Sequence, residues 1–85
     1  MRVLVPGALR SYTGVSPVEA AGGTLHELFA DLDRRYPGLR FRVVDEQGRL
    51  RANMRVFVNG LGVRDLAHVL RADDAVAIVL ALSGG

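Results

Sequence analysis

Eighty-five residues, 49% of them hydrophobic, suffice for one small domain with a single core and leave no room for a second. All eleven basic residues are arginine, against nine acidic ones, and they are scattered among acids rather than drawn into a stripe, which argues against nucleic-acid binding. With no cysteine and two distant histidines, His26 and His68, the chain offers neither a disulfide nor a metal-ligand spacing.

The longest apolar run, Ala75 to Leu82, is far too short to span a bilayer. No N-terminal segment joins basic residues to an apolar stretch and a cleavage site, so a cytoplasmic protein without membrane partners is expected.

Met1 to Pro6 alternates and predicts a strand, with Val3 and Val5 on one face and Arg2 and Leu4 on the other. Gly7 to Gly14 reads as a turn region, and Val15 to Ala20 as a return strand weakened by Pro17. After the Gly22-Gly23 break, Thr24-Leu25-His26-Glu27 fits a capping box at a helix start. Leu25, Leu28, Phe29, Leu32 and Tyr36 follow at helical spacing, which leaves Asp31, Arg34 and Arg35 toward water. Pro37-Gly38 stops the helix.

Asp45-Glu46-Gln47-Gly48 predicts a turn, and Asn53 to Asn59 alternates again. Asn59-Gly60 marks a tight turn into a short extended piece around Val63. Asp65 to Leu70 is assigned one helical turn, and Asp73-Asp74 a bend into the closing strand, Ala75 to Leu80. The order strand, strand, long helix, strands, final strand predicts an α+β fold. Its economical form is a ubiquitin-like β-grasp, a mixed sheet with one main helix packed across it. Residues 1–80 would form that domain and residues 81–85 a flexible Gly-Gly tail.

The strand alternation also predicts a surface. Met54, Val56 and Val58 share one face, and Arg55, Phe57 and Asn59 the other, so Phe57 turns outward with the polar residues. Val76 and Ile78 are the better core pair, which turns Ala77 and Val79 outward. Leu4, Phe57 and Val79 thereby form an expected apolar patch for a partner protein.

No catalytic residue is expected. Ser11, Ser16 and Ser83 have no histidine at plausible spacing, and Asp45-Glu46 reads as a solvated turn. The most distinctive feature is instead Ser83-Gly84-Gly85, a carboxylate on a thin stalk whose glycines let backbone pass through a narrow channel.

In this order the residues resemble the MoaD/ThiS family of ubiquitin-like sulfur carriers. The marks are Gly23-Thr24-Leu25, Tyr36-Pro37-Gly38-Leu39, Asp45-Glu46-Gln47-Gly48, Arg55-Val56-Phe57-Val58-Asn59-Gly60, Asp74-Ala75-Val76-Ala77-Ile78 and Gly84-Gly85. Two features depart from the family pattern. Asp73 replaces the glycine of an Asp-Gly-Asp turn, where aspartate is expected to tolerate left-handed backbone at modest cost. Leu80-Ala81-Leu82-Ser83 stands where molybdopterin-synthase small subunits often carry a proline pair, so the tail looks more like that of CysO-type carriers.

The resemblance implies a carrier rather than an enzyme. Gly85 would be adenylated by a ubiquitin-activating-type adenylyltransferase using ATP, and then converted to a thiocarboxylate that donates sulfur to a biosynthetic enzyme. Gly84 would give clearance, with Ser83, Leu82 and Ala81 recognised along the tail. The chain itself would bind no cofactor and would be monomeric when free. Two alternatives remain open: the small subunit of a molybdopterin-synthase-type complex, and a protein modifier joined to targets through Gly85. Lacking cysteine, the chain has no side chain for a persulfide, which agrees with sulfur held at the terminus.

Overall fold

Residues 1–81 are described by the computed structural model, and in it the alternating segments become one mixed sheet. Its strands are β1 (Arg2–Leu4), β2 (Val18–Glu19), β3 (Met54–Val58), β4 (Leu61–Val63) and β5 (Ala75–Leu80). They lie in the order β2-β1-β5-β3-β4. Only the β1–β5 pair is parallel. The sequence-based α+β layering is therefore the observed one.

Helix α2 (Leu25–Arg35) lies across the inner face and buries Leu25, Leu28, Phe29 and Leu32 in the same core as Val3, Val56, Val76 and Ile78. Each such side chain contributes about 1.5–3 kcal/mol of transfer free energy. The start of α2 is capped as expected. Thr24 Oγ1 accepts from the Glu27 N–H at 3.2 Å, while Glu27 Oε1 reaches one residue further back, to the Gly23 N–H at 2.8 Å. Gly22 is required by close approach, because a Cβ there would lie 2.5 Å from the backbone nitrogen of Leu28.

Several expectations need correction. Gly7 to Gly14 is helical rather than a turn region, with a 3-10 turn over Gly7–Leu9 followed by α1 (Arg10–Thr13). Buried Leu9 and half-buried Tyr12, three residues apart, hold this segment to the core, and Gly14 ends it at a φ of 76°. The return strand shrinks to Val18–Glu19, since Pro17 has no N–H to donate. A further short helix, α3 (Leu39–Val43), follows Gly38 and buries Leu39 and Val43.

Asp65 to Leu70 holds a single hydrogen-bonded turn, with the His68 N–H donating to the Asp65 carbonyl at 3.0 Å, and does not become helical. Leu66 and Leu70 are both buried at helical spacing, yet the carbonyls of Leu66 and His68 accept from the N–H groups of His26 and Leu25 at 2.9 and 3.1 Å. The segment thus satisfies the first turn of α2, whose amides have no partner within the helix. Asp73 also needs no left-handed backbone, because Asn59 is the one non-glycine residue with positive φ among those described. Between Arg71 and Ala75 the turn is tied by Asp74, whose carboxylate accepts from the Arg71 N–H at 2.8 Å.

Asp31 is the largest departure. It is buried, not turned to water, with 8% of its surface exposed. Its carboxylate accepts from the Ala21 N–H at 2.9 Å and from Arg35 Nε at 2.9 Å, and pairs also with Arg34. Chiefly the Ala21 N–H, and then the two guanidinium groups, hold its pKa down at about 2 against an ordinary 3.8.

A folded-state pKa below the unfolded one means that this contribution is complete above the unfolded value and is lost as pH falls through the folded one. Stability measured by urea unfolding should therefore drop between about pH 4 and pH 2, and Asp31→Asn should flatten that drop while lowering stability at neutral pH. Asp45 and Asp74, also held below the ordinary range by backbone N–H groups, should leave a residual slope. Equal slopes in the wild type and Asp31→Asn would remove Asp31 from the account.

Candidate docking face and tail exit

Strand alternation places the outward residues as the sequence predicted. Register aligns Leu4 with Ala77, Ala77 with Phe57, and Phe57 with Gly62, a single row across β1, β5, β3 and β4 on the face away from α2. Val79 lies two residues further along β5, opposite Arg55. Leu4 is 51% and Val79 41% exposed, so both present real apolar surface.

Phe57 lies on the predicted face but is half-buried rather than open. Its ring leans over the neighbouring strand, with Cε1 3.6 Å from the place a Cβ would occupy on Gly62. The partner strand's glycine, invisible to alternation within β3, causes this cover.

Beyond β5 the N–H of Ala81 donates to the Asn53 carbonyl at 2.8 Å. The outgoing chain therefore starts beside the loop that precedes β3. Leu82, Ser83, Gly84 and Gly85 lie outside the described residues, and with them most of the expected tail. Next to the exit is a cleft of about 370 Å³ between α3 and the 51–54 loop, walled by Phe41, Arg42, Glu46, Arg51, Asn53 and Leu80. Phe41 is 60% exposed and was not singled out by the sequence reading.

The arginines are less scattered than their spacing suggests, for Arg51, Arg55 and Arg64 all donate to carbonyls between Phe41 and Met54. No run in the sequence signals this, because the β3–β4 hairpin is what brings Arg64 back to the loop.

Two of the remaining groups have structural roles. Ser16 Oγ accepts from the Val5 N–H at 2.9 Å. Asp45 accepts from the N–H groups of Gln47 and Arg49 and holds the 45–48 turn. His26 is exposed and His68 half-buried. No helix among the described residues is long and apolar enough to cross a membrane.

Comparison with known proteins adds three findings. The model of the ThiS family matches residues 3–85. The chain is 35% identical over 89 residues to the sulfur carrier protein CysO of Mycobacterium tuberculosis (strain ATCC 25618 / H37Rv), covering 98% of this chain and 96% of the relative. Among solved structures it resembles a chain of the Amycolatopsis orientalis BexX/CysO complex, with a TM-score of 0.91, 34% identity, and coverage of 99% of this chain and 98% of the other. It also resembles SAMP1 from Haloferax volcanii, with a TM-score of 0.81, 26% identity, and coverage of 100% and 98%.

The two faces of β3 can be separated by stability. Val56→Ala should cost about 1–3 kcal/mol in denaturant unfolding, through a core cavity. Phe57→Ala should cost less, about 1 kcal/mol or under, since the ring is only half-covered. The reverse ranking would put the register off by one residue.

Proposed function

The chain belongs to the ThiS family, and from that premise we propose that it is a sulfur carrier whose reactive group is the carboxylate of Gly85. The observation that carries this reading is the match over 98% of the chain to a sulfur carrier protein.

A carboxylate resists attack because its charge repels nucleophiles and it lacks a good leaving group. A ubiquitin-activating-type enzyme supplies one: the Gly85 carboxylate attacks the α-phosphorus of ATP, releasing pyrophosphate and leaving an acyl adenylate. Hydrosulfide then adds to the Gly85 carbonyl and AMP departs, which leaves a thiocarboxylate for a sulfur-accepting enzyme. The chain is a protein substrate in both steps and supplies no catalytic side chain.

Its own contribution is presentation. Residues 81–85, fully extended, reach at most about 17 Å at roughly 3.3–3.6 Å per residue. That length passes a carboxylate into a buried site through a channel narrowed to glycine at Gly84. The row of Leu4 and Phe57, with Val79, then serves as the docking face on the body. Such a division is useful because association costs several kcal/mol before any surplus appears, and a thin tail alone offers little area.

A second reading, a protein modifier, is favoured by the likeness to SAMP1, a small archaeal modifier protein. As a modifier the same activated Gly85 would meet a lysine amine instead of sulfur. This chain has no lysine of its own to receive another copy.

Incubated with its adenylating enzyme, ATP and a sulfur donor, the chain should gain the mass by which one sulfur exceeds one oxygen, localised to Gly85. Deleting Gly85 or appending a residue should abolish AMP transfer while circular dichroism stays native. Phe57→Ala should weaken docking to the enzyme by about 1–3 kcal/mol, as loss of an aromatic anchor does. Adenylation of the extended chain at full rate, without trimming, would refute the carrier reading. Conjugates to lysine without any thiocarboxylate would establish the modifier reading in its place.

A further inference from the structure

Three guanidinium groups are fixed on the loop beside which the chain leaves β5. Arg51 Nε donates to the Phe41 carbonyl at 2.7 Å, and its guanidinium lies 4.7 Å from the centre of the Phe41 ring. Arg55 Nη1 donates to the carbonyls of Ala52 and Met54 at 2.7 and 3.0 Å. Arg64 donates to those of Leu50 at 3.0 Å, Met54 at 3.3 Å and Arg51 at 3.4 Å. One loop thus binds three cations through its carbonyls.

Among the described residues, none of the three has a carboxylate within 4.0 Å; the ion pairs found there belong to Asp31 and the Met1 ammonium. The nearby Asp45 feels the charge of Arg51 without forming an ion pair with it, and its carboxylate is engaged by the backbone of its own turn. A guanidinium carries five N–H donors, so these carbonyls leave several directed elsewhere. The side chains are also already ordered, which lowers the entropy lost when something binds them.

Resting on the carrier reading, we propose that Arg51, Arg55 and Arg64 form a cationic collar that docks on an acidic rim of the enzyme receiving the tail. Position supports this occupant. Ala81 bonds to Asn53 inside the same loop, Arg51 shares a cleft wall with Leu80, and Arg55 and Arg64 hold the loop's carbonyls on its other side, so a partner enclosing the tail exit meets the loop that carries the collar. Arg55 shares the outer face of β3 with Phe57 and stands opposite Val79, which makes the collar continuous with the apolar docking row.

Charge supports it as well. Covering three guanidinium groups that have no carboxylate partner among the described residues with apolar surface would strip their water without return, whereas carboxylates restore charge-assisted, often bidentate bonds. Nucleic acid fits less well. The collar is compact rather than a stripe, Glu46 stands on the wall of the adjoining cleft, and the whole chain carries a net charge of only +2.

The test uses the full chain and the adenylating enzyme that loads it, followed by ATP–pyrophosphate exchange. Between roughly 0.05 and 0.3 M salt the KM for the wild-type chain should rise several-fold, because screening weakens attraction between exposed charges. The double variant Arg51→Glu/Arg55→Glu should raise KM at low salt by about tenfold, with kcat within about twofold, and should flatten the salt dependence. Arg55→Lys, which keeps the charge but loses the fork, should raise KM less than Arg55→Glu and retain the salt dependence.

Should the double variant fail to fold, Arg55→Glu alone decides, since that side chain is exposed, and a rise in KM of about threefold is expected. A KM indifferent to both salt and Arg55→Glu overturns the collar while leaving the carrier reading intact. A wild-type chain never adenylated at any salt refutes the carrier reading and the collar with it. A fluorescent single-stranded oligonucleotide bound by wild type and lost in Arg55→Glu would assign the collar to nucleic acid, which also overturns the proposal.

Discussion

β5 hydrogen-bonds along both of its edges, in parallel to β1 over Arg2–Leu4 and antiparallel to β3 over Met54–Val58. The strand written last is therefore central, and neither half of the sheet is joined to the other without it. Its period of two does two jobs at once. Val76 and Ile78 close the core under α2, while Ala77 and Val79 complete the outer row between Leu4 and Phe57. Because β5 is held on both sides, the chain that follows it leaves at a fixed place relative to that row. The proposed carrier role needs this geometry: a chain end whose starting point is set by the same strand that shapes the outer apolar row.

What could be read from the sequence was whatever depends on neighbours in the chain. Alternation in Met54–Val58 and Ala75–Leu80, the capping box at Thr24 and the Asn59-Gly60 turn are local signals, and each appears in place. Misread segments depend on partners far away. Leu66 and Leu70 have helical spacing, but their backbone is claimed by α2 and by Gly23. Asp31 sits at the edge of an amphipathic pattern that predicts exposure, and the distant Ala21 N–H, with Arg34 and Arg35, makes burial favourable. Phe57 was placed on the right face, yet its cover comes from Gly62 across the hairpin. Likewise the collar arises only once the hairpin returns Arg64 to the loop holding Arg51.

Arginine serves opposite ends in two parts of the fold. At Asp31, Arg34 and Arg35 share a carboxylate that also holds the β2–α2 connection through Ala21, so part of their charge is offset within the chain. Around the 50–54 loop the guanidinium groups instead meet carbonyls, which accept hydrogen bonds without cancelling charge. A planar fork suits this arrangement better than an ammonium, because it can bond a carbonyl on one edge and present donors on another. The small net charge of +2 therefore conceals an uneven distribution, slightly acidic along α2, where Glu27, Asp31 and Asp33 face Arg34 and Arg35, and basic around the 50–54 loop.

The separation of core and docking face holds only while β3 and β5 keep their register, since a slip of one residue would exchange the two sets of side chains. Asn59 is placed to prevent that slip. It takes the left-handed conformation the two-residue turn demands, with φ 51° followed by 84° at Gly60. Its N–H donates to the Ala75 carbonyl at 2.8 Å, and its side chain accepts from the Ala75 N–H at 2.9 Å while donating to Asp74 at 2.8 Å. One residue thus ends β3, starts β5 and fixes them to each other. From that clamp the register runs pair by pair to Met54 opposite Leu80, so Asn59 sets, at the far end of the strand, where the tail begins.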